Sequence, residues 1–198
     1  MSVVVGADGR ARCAWAGSAP EYVGYHDDEW GAELHGDQPL FERMSLEGFQ
    51  AGLSWITILR RRDTFRAAFA DFDIDRVAAF DAADIARLMA DPGIIRNAAK
   101  IDATISNARV ARDLVRERPG ALDRLLWGFA PAARTVAPAE VPATTAESIA
   151  ASKALKKLGF RFVGPTTVYA LMQATGMVND HAPGCFRAVA ASAATPRP

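Results

Sequence analysis

Apolar residues return at three- and four-residue steps along most of this chain, the period of an amphipathic helix rather than the alternation of a half-buried strand. The pattern opens in "QPLFERMSLEGFQAGLSWITILRRR", where Leu46, Phe49, Leu53, Ile56 and Leu59 form one stripe. It predicts further helices at "DTFRAAFADF", "DIDRVAAF" and "DAADIARLMA", with Asp63, Asp73 and Asp81 as N-caps. "DPG" at 91–93 is a turn. The long run "IIRNAAKIDATISNARVARDLVRER" ends at Pro119-Gly120, and a Pro- and Ala-rich connector covers residues 130–147. Thr144 and Glu147 are spaced as a capping box for a helix at "SIAASKALKKL", and "TTVYALMQATG" forms the last helix. No internal repeat or alternating strand emerges, so the predicted class is all-α. Residues 1–11 read as a flexible arm and 188–198 as a mobile tail, leaving one domain over 12–187.

Length and charge narrow the picture. A chain of 198 residues, half of them apolar, suits one large domain or two closely packed lobes, either with a substantial core. No apolar run approaches the roughly 18 residues of a membrane span. The opening "MSVVVGADGRARC" lacks the apolar stretch of a secretory signal, so a soluble, cytoplasmic protein is expected, with no membrane partner. Lys plus Arg equals Asp plus Glu at 23 each, so gross charge points to no polyanionic partner, although a local basic patch can hide in a neutral total. In a reducing compartment Cys13 and Cys185 are free thiols or metal ligands rather than a disulfide.

Three features could carry chemistry. Cys13 and His26 near one end, and His181 and Cys185 in "NDHAPGC" near the other, make a Cys2His2 set suited to a closed tetrahedral zinc site. The halves are far apart in sequence, so spacing alone favours a buried thiol at each end and two satisfied histidines over a metal site. In "LKKLGFRFVGPTT", Lys156 and Lys157 end one helix, Gly159 stops it, and Gly164 precedes Pro165 at the start of the next. Such a connection offers glycine amides and a helix N-terminus to a phosphate, or is an ordinary turn between helices. Third, Trp15, Tyr22, Tyr25, Trp30 and Trp55 crowd the first 55 residues. They could be core, or with Glu47 could border a pocket for a planar ligand.

The glycines of "EGFQAGLSWITIL" sharpen the question, since each costs roughly 1 kcal/mol relative to alanine inside a helix. One reading makes the segment the lip of a pocket, with Gly52 turning the backbone and Leu53 projecting as an apolar wedge. The other makes Leu53 core and uses Gly48 and Gly52 for close helix packing.

The segments "RCAW", "YHDDEWG", "LEGFQAGLSWITIL", "GIIRNAAKI", "SKALKKLGFRFVGPTT" and "MVNDH" followed by Cys185 occur in this order across residues 12–185. In this combination the chain resembles the 3-methyladenine DNA glycosylase I family of the helix-hairpin-helix superfamily. The resemblance implies an α-helical repair enzyme that flips 3-methyladenine out of double-stranded DNA, cleaves its N-glycosidic bond and releases the free base. It implies a structural zinc on Cys13, His26, His181 and Cys185. It also implies a base pocket of Glu47, Tyr22, Tyr25 and Trp55 with Trp15 and Trp30 nearby. In that pocket Glu47 would bind the base and help position water. The hairpin, within a helix-hairpin-helix over about 147–176, would hold the DNA backbone through Gly159, Gly164, Lys156, Lys157 and Arg161, with Leu53 entering the stack. The superfamily places a catalytic Asp beyond the hairpin. Asp180 lies in that region, but this family is not thought to depend on it, and the role of Asp180 stays open. A monomer suffices for all of this. Two rival classes compete with it: a non-catalytic DNA-binding module with the same zinc staple, and a hydrolase in which the zinc is catalytic.

Overall fold

The computed structural model describes residues 2–132 and 140–188. The architecture is helical: α1 (Pro20–Gly24), α2 (Asp37–Gln50), α3 (Trp55–Leu59), α4 (Arg62–Ala68), α5 (Ile74–Ala78), α6 (Ala82–Ala90), α7 (Ala98–Glu117), α8 (Ala121–Trp127), α9 (Ala146–Lys157) and α10 (Pro165–Ala174). One expectation needs correction. Residues 3–5, read as part of a loose arm, form strand β1 (Val3–Val5), which pairs antiparallel with β2 (Ala11–Cys13). Three valines are good strand formers, but a run this short carries no readable alternation. The expected tail lies outside the described residues from 189 onward, as does 133–139 of the connector.

Helix α2 is the centre of the body. From Leu40 to Phe49 every residue except Glu42 is buried, including Arg43, Ser45 and Glu47, so the helix is enclosed on nearly all sides. Around it Phe41, Phe49, Phe65, Phe69 and Phe72 pack against one another with no exposed surface. Each contributes about 1.5–3 kcal/mol through burial. Helices α7 and α10 pack on α2, and α9 packs on α10.

Capping explains most helix starts. Asp73 accepts from the Arg76 amide, and Asp81 forms a reciprocal capping box with Asp84. Asn97 caps α7 at Lys100, three residues after the expected run begins. Two expected caps fall elsewhere. Asp63 lies inside the first turn of α4, where its charge still suits the helix dipole. The box at the start of α9 is made by Thr145 and Ser148 rather than Thr144 and Glu147. Helix α8, which the pattern did not announce, is capped from afar: Asp37 accepts from the amides of Gly120 (2.7 Å), Leu122 (3.0 Å) and Asp123 (3.0 Å).

Candidate active site

The continuous periodic run from residue 38 is broken in the structure. Helix α2 ends at Gln50 and α3 starts at Trp55, with a tight turn between. Gly52 has φ +82°, a conformation costly for other residues, and the Leu53 amide closes the turn on the Gln50 carbonyl at 2.6 Å. Leu53 is 41% exposed, so the core reading of this residue fails. Gly48 has a different cause from Gly52. It sits inside α2 against Phe162, whose Cβ lies 3.5 Å from where a glycine Cβ would stand. A side chain larger than alanine would push the α9–α10 connection off the helix.

Beside this turn lies a cavity of about 300 Å³ lined by Trp15, Tyr22, Tyr25, Trp30, Trp55 and Glu47, with Ser18, Gln50, Ala170 and Ala174 completing it. All six expected pocket residues therefore meet. Trp15 meets Tyr22 and Trp30 edge to face at 5.4 and 5.1 Å, and Tyr25 lies tilted against Trp55 at 5.5 Å. Glu47 is only 4% exposed, and no hydrogen bond ties its carboxyl to a described residue. Burial pushes it up to about 7, against a smaller opposing pull from Arg43 one turn back on α2. The Trp55 indole N–H is likewise buried without a partner among the described residues. Arg43 is a site residue that sequence reasoning missed. Its guanidinium lies over the Tyr25 and Trp55 rings at 5.5 and 5.6 Å, donates to the Tyr25 hydroxyl at 3.2 Å and pairs with Glu29. Its position in the helix stripe gave no signal for that role.

Behind the aromatic wall the four expected metal ligands come together. Cys13, His26, His181 and Cys185 are all buried, with their ligand atoms within 4.8 Å of one another. Cys185 Sγ is 3.3 Å from His26 Nε2 and 3.6 Å from His181 Nδ1, and Cys13 Sγ is 3.6 Å from the same Nδ1. The far ring nitrogens are held as metal-bound imidazoles usually are, by an oxygen partner. His26 Nδ1 meets Asp27 Oδ1 at 2.8 Å, and His181 Nε2 meets the Trp30 carbonyl at 3.1 Å. Asp27 is itself clamped by Arg12. Burial keeps His181 down at about 4, so its ring is neutral and free to ligate at pH 7. The donor set and its supports fit a tetrahedral cation.

The α9–α10 connection is fastened from below. Asn107 on α7 accepts from the Arg161 amide at 2.8 Å and donates to its carbonyl at 2.9 Å, while Ser152 donates to Val163 O at 2.6 Å. Gly159 takes φ +101°. Lys156 and Lys157 are exposed at the end of α9, and Arg161 is exposed but paired with Asp102. Gly164 adopts an ordinary φ of −62°, and a Cβ there would meet nothing within 4 Å. Neither backbone strain nor the protein's own packing demands glycine at this position. Asp180 lies outside the cavity, buried, accepting from Tyr169 Oη at 2.6 Å and Gln173 Nε2 at 2.9 Å.

A helical body presenting an aromatic cavity with a carboxyl at its wall, beside an exposed apolar turn, is the equipment of an enzyme that takes a flat base out of a nucleic acid. The sequence matches the Methyladenine glycosylase family over residues 15–188, so the chain belongs to that family of DNA repair enzymes. It is 47% identical over 178 residues to DNA-3-methyladenine glycosylase 1 of Escherichia coli (strain K12), covering 88% of this chain and 95% of that one. The fold is similar to a crystal structure of 3-methyladenine DNA glycosylase I, with a TM-score of 0.84 and 45% identity over 88% of this chain and 98% of that one. A variant of 3-methyladenine DNA glycosylase I solved in complex with 3-methyladenine matches with a TM-score of 0.82 and 32% identity, covering 89% and 96%. Activity on DNA, hydrolysis of an N-glycosyl bond and membership of base excision repair follow from that family.

Proposed function

We propose that the cavity receives 3-methyladenine flipped from double-stranded DNA and that Glu47 is the group that selects it. The observation carrying this reading is a buried carboxyl with no hydrogen-bond partner among the described residues, facing a cavity walled by five electron-rich rings. Methylation at N3 makes the nucleotide's base cationic. Ring faces attract a cation by about 0.5–2 kcal/mol each, and an ionised Glu47 adds charge attraction and accepts from the exocyclic amine. Ordinary adenine carries the same exocyclic amine but not the charge, so it gains neither the ring attraction nor the charge attraction. Because the cationic base is already a good leaving group, no strong nucleophile is needed. Water adds to C1′, the glycosidic electron pair passes to the base, which leaves neutral, and a proton passes to solvent.

Leu53 is the apolar wedge that fills the gap left by the flipped base. Its exposure on a tight turn beside the cavity supports this role. Leu53→Ala is expected to slow release from duplex DNA more than from single strands, with little change in melting temperature because no core contact is lost. Equal slowing on both substrates, measured by base release, would count against the wedge.

The α9–α10 connection holds the DNA backbone through its main-chain amides, aided by Gly159, Gly164, Lys156, Lys157 and Arg161. At Gly164 the space that no protein atom fills is the room a phosphate needs. Gly164→Asp is expected to weaken DNA binding by about tenfold, the worth of one charge-assisted hydrogen bond, without a change in fold. Parental binding should fall linearly on a log–log plot against salt. A Gly164→Asp protein that holds DNA as well as the parent would refute the assignment.

Zinc bound by Cys13, His26, His181 and Cys185 staples the β1–β2 hairpin and α1 region to the chain's far end. Four protein ligands leave no position for a reactive water, so the metal is structural rather than hydrolytic. One chain carries the whole site, consistent with a monomer working on chromosomal DNA in the cytoplasm. Among the described residues no helix is long and apolar enough to cross a membrane.

A further inference from the structure

Lys100 is the one lysine of the described residues that is buried, at 8% exposure, and it has no carboxylate partner. It sits in the first turn of α7, where the helix dipole disfavours a cation. Burial holds its ammonium below the usual lysine range. A charge placed at such cost needs a compensating interaction. Here it is a pair of main-chain acceptors: Nζ donates to the Phe49 carbonyl at 2.8 Å and to the Ala51 carbonyl at 2.6 Å. These are carbonyls at the C-terminal end of α2, where the helix presents its negative pole. The bonds close on both sides of Gln50, whose carbonyl in turn receives the Leu53 amide. Lys100 thus fastens the point where α2 stops, and the Gly52–Leu53 turn hangs from that point.

We propose that Lys100 is a positioning residue for base extrusion: it fixes the end of α2 so that Leu53 projects at a set height and angle above the cavity. This rests on the reading of Leu53 as the wedge. A side chain that enters a base stack acts through its position, and a misplacement of order 1 Å costs up to about 100-fold in rate. Lys100 therefore acts on the duplex step and not on the bond cleavage that follows. The Ala51–Leu53 turn is exposed, and among the described residues no side chain other than Lys100 bonds its carbonyls.

The test is a double-mutant cycle on base release, run on duplex and on single-stranded methylated DNA. Lys100→Met preserves length and apolar volume while removing both bonds. It is expected to slow release from duplex by about tenfold or more and release from single strands far less. The Leu53→Ala, Lys100→Met double variant is expected to be no slower on duplex than Leu53→Ala alone, since a misplaced wedge and an absent wedge cannot be lost twice. Effects that multiply in the double variant, or equal slowing on both substrates, would overturn the role of Lys100. If instead Leu53→Ala shows no preference for duplex, the wedge reading itself has failed, whatever Lys100→Met does. Lys100→Gln keeps a neutral amide donor on a shorter stem and carries the same comparison should Lys100→Met fold poorly. It is expected to fall between parent and Lys100→Met on duplex, and the absence of any duplex-selective loss in Lys100→Gln would also overturn the proposal.

Discussion

Glu47→Gln is expected to lose about 100-fold in 3-methyladenine release, the usual scale for removing one preorganised electrostatic group from a closed site, while becoming more stable than the parent at pH 8. The two effects have one cause. Glu47 is a buried carboxyl without a hydrogen-bond partner among the described residues, and burial raises it from an ordinary 4.5 to about 7. Because its folded value lies above its unfolded one, the unfolded chain releases the proton first as pH rises. Folding stability therefore falls between about pH 4.5 and pH 7 and stays reduced above that, by about 3 kcal/mol for this group alone. Glutamine removes the cost, so thermal melts of the variant and parent should agree near pH 4 and separate with the variant higher at pH 8. Activity moves the opposite way. Parental release should drop as pH falls through about 7, where Glu47 takes up its proton and loses its attraction for a cationic base. The variant should show no such step. A folded Glu47→Gln protein with full release would overturn the pocket reading. A variant no more stable than its parent at pH 8 would show that the carboxyl is solvated after all.

Features with local causes were legible in the sequence, and features with distant causes were not. Helices α5 and α6 are capped by the residue immediately before them, and Asp73 and Asp81 could be read directly. Helix α8 is capped by Asp37, more than eighty residues away in sequence, so its start carried no local signal. The Gly52 turn was legible because a left-handed glycine leaves a trace in a helical stripe. The device that anchors it was not, because Lys100 lies within an unremarkable helix start and meets Phe49 and Ala51 only in three dimensions. The strand pairing of Val3–Val5 with Ala11–Cys13 escaped for a third reason, since three residues are too few to show a period. In the site the six pocket residues were found through a resemblance that spans most of the chain. Arg43, which bridges Tyr25 and Glu29, was hidden by its place among core positions of α2.

Removing the proposed zinc is expected to have the largest effect on stability. The four candidate ligands come from the end of β2, from the π-helical turn Tyr25–Glu29 that follows α1, and from the loop after α10, so one ion bound there would close a loop of nearly the whole chain. Without it two buried thiols and two imidazoles would face one another with no cation to satisfy them. Cys185→Ser, or prolonged treatment with a strong chelator, is expected to cost about 3–5 kcal/mol, a drop on the order of 10 °C in melting temperature for a chain of this size. The chemistry should be less affected than the fold. No ligand touches the proposed base position, but His26 packs 5.3 Å from Trp15 and His181 packs 4.6 Å from Trp30, so the ligands stand directly behind two pocket walls. Below its melting point the variant should accordingly bind free 3-methyladenine more weakly, while its release rate at saturating DNA stays near the parental value. Metal analysis of protein purified without chelator is expected to give about one zinc per chain. Protein that is folded and active with no bound zinc, or a Cys185→Ser variant that melts with the parent, would leave the cluster as no more than four packed side chains.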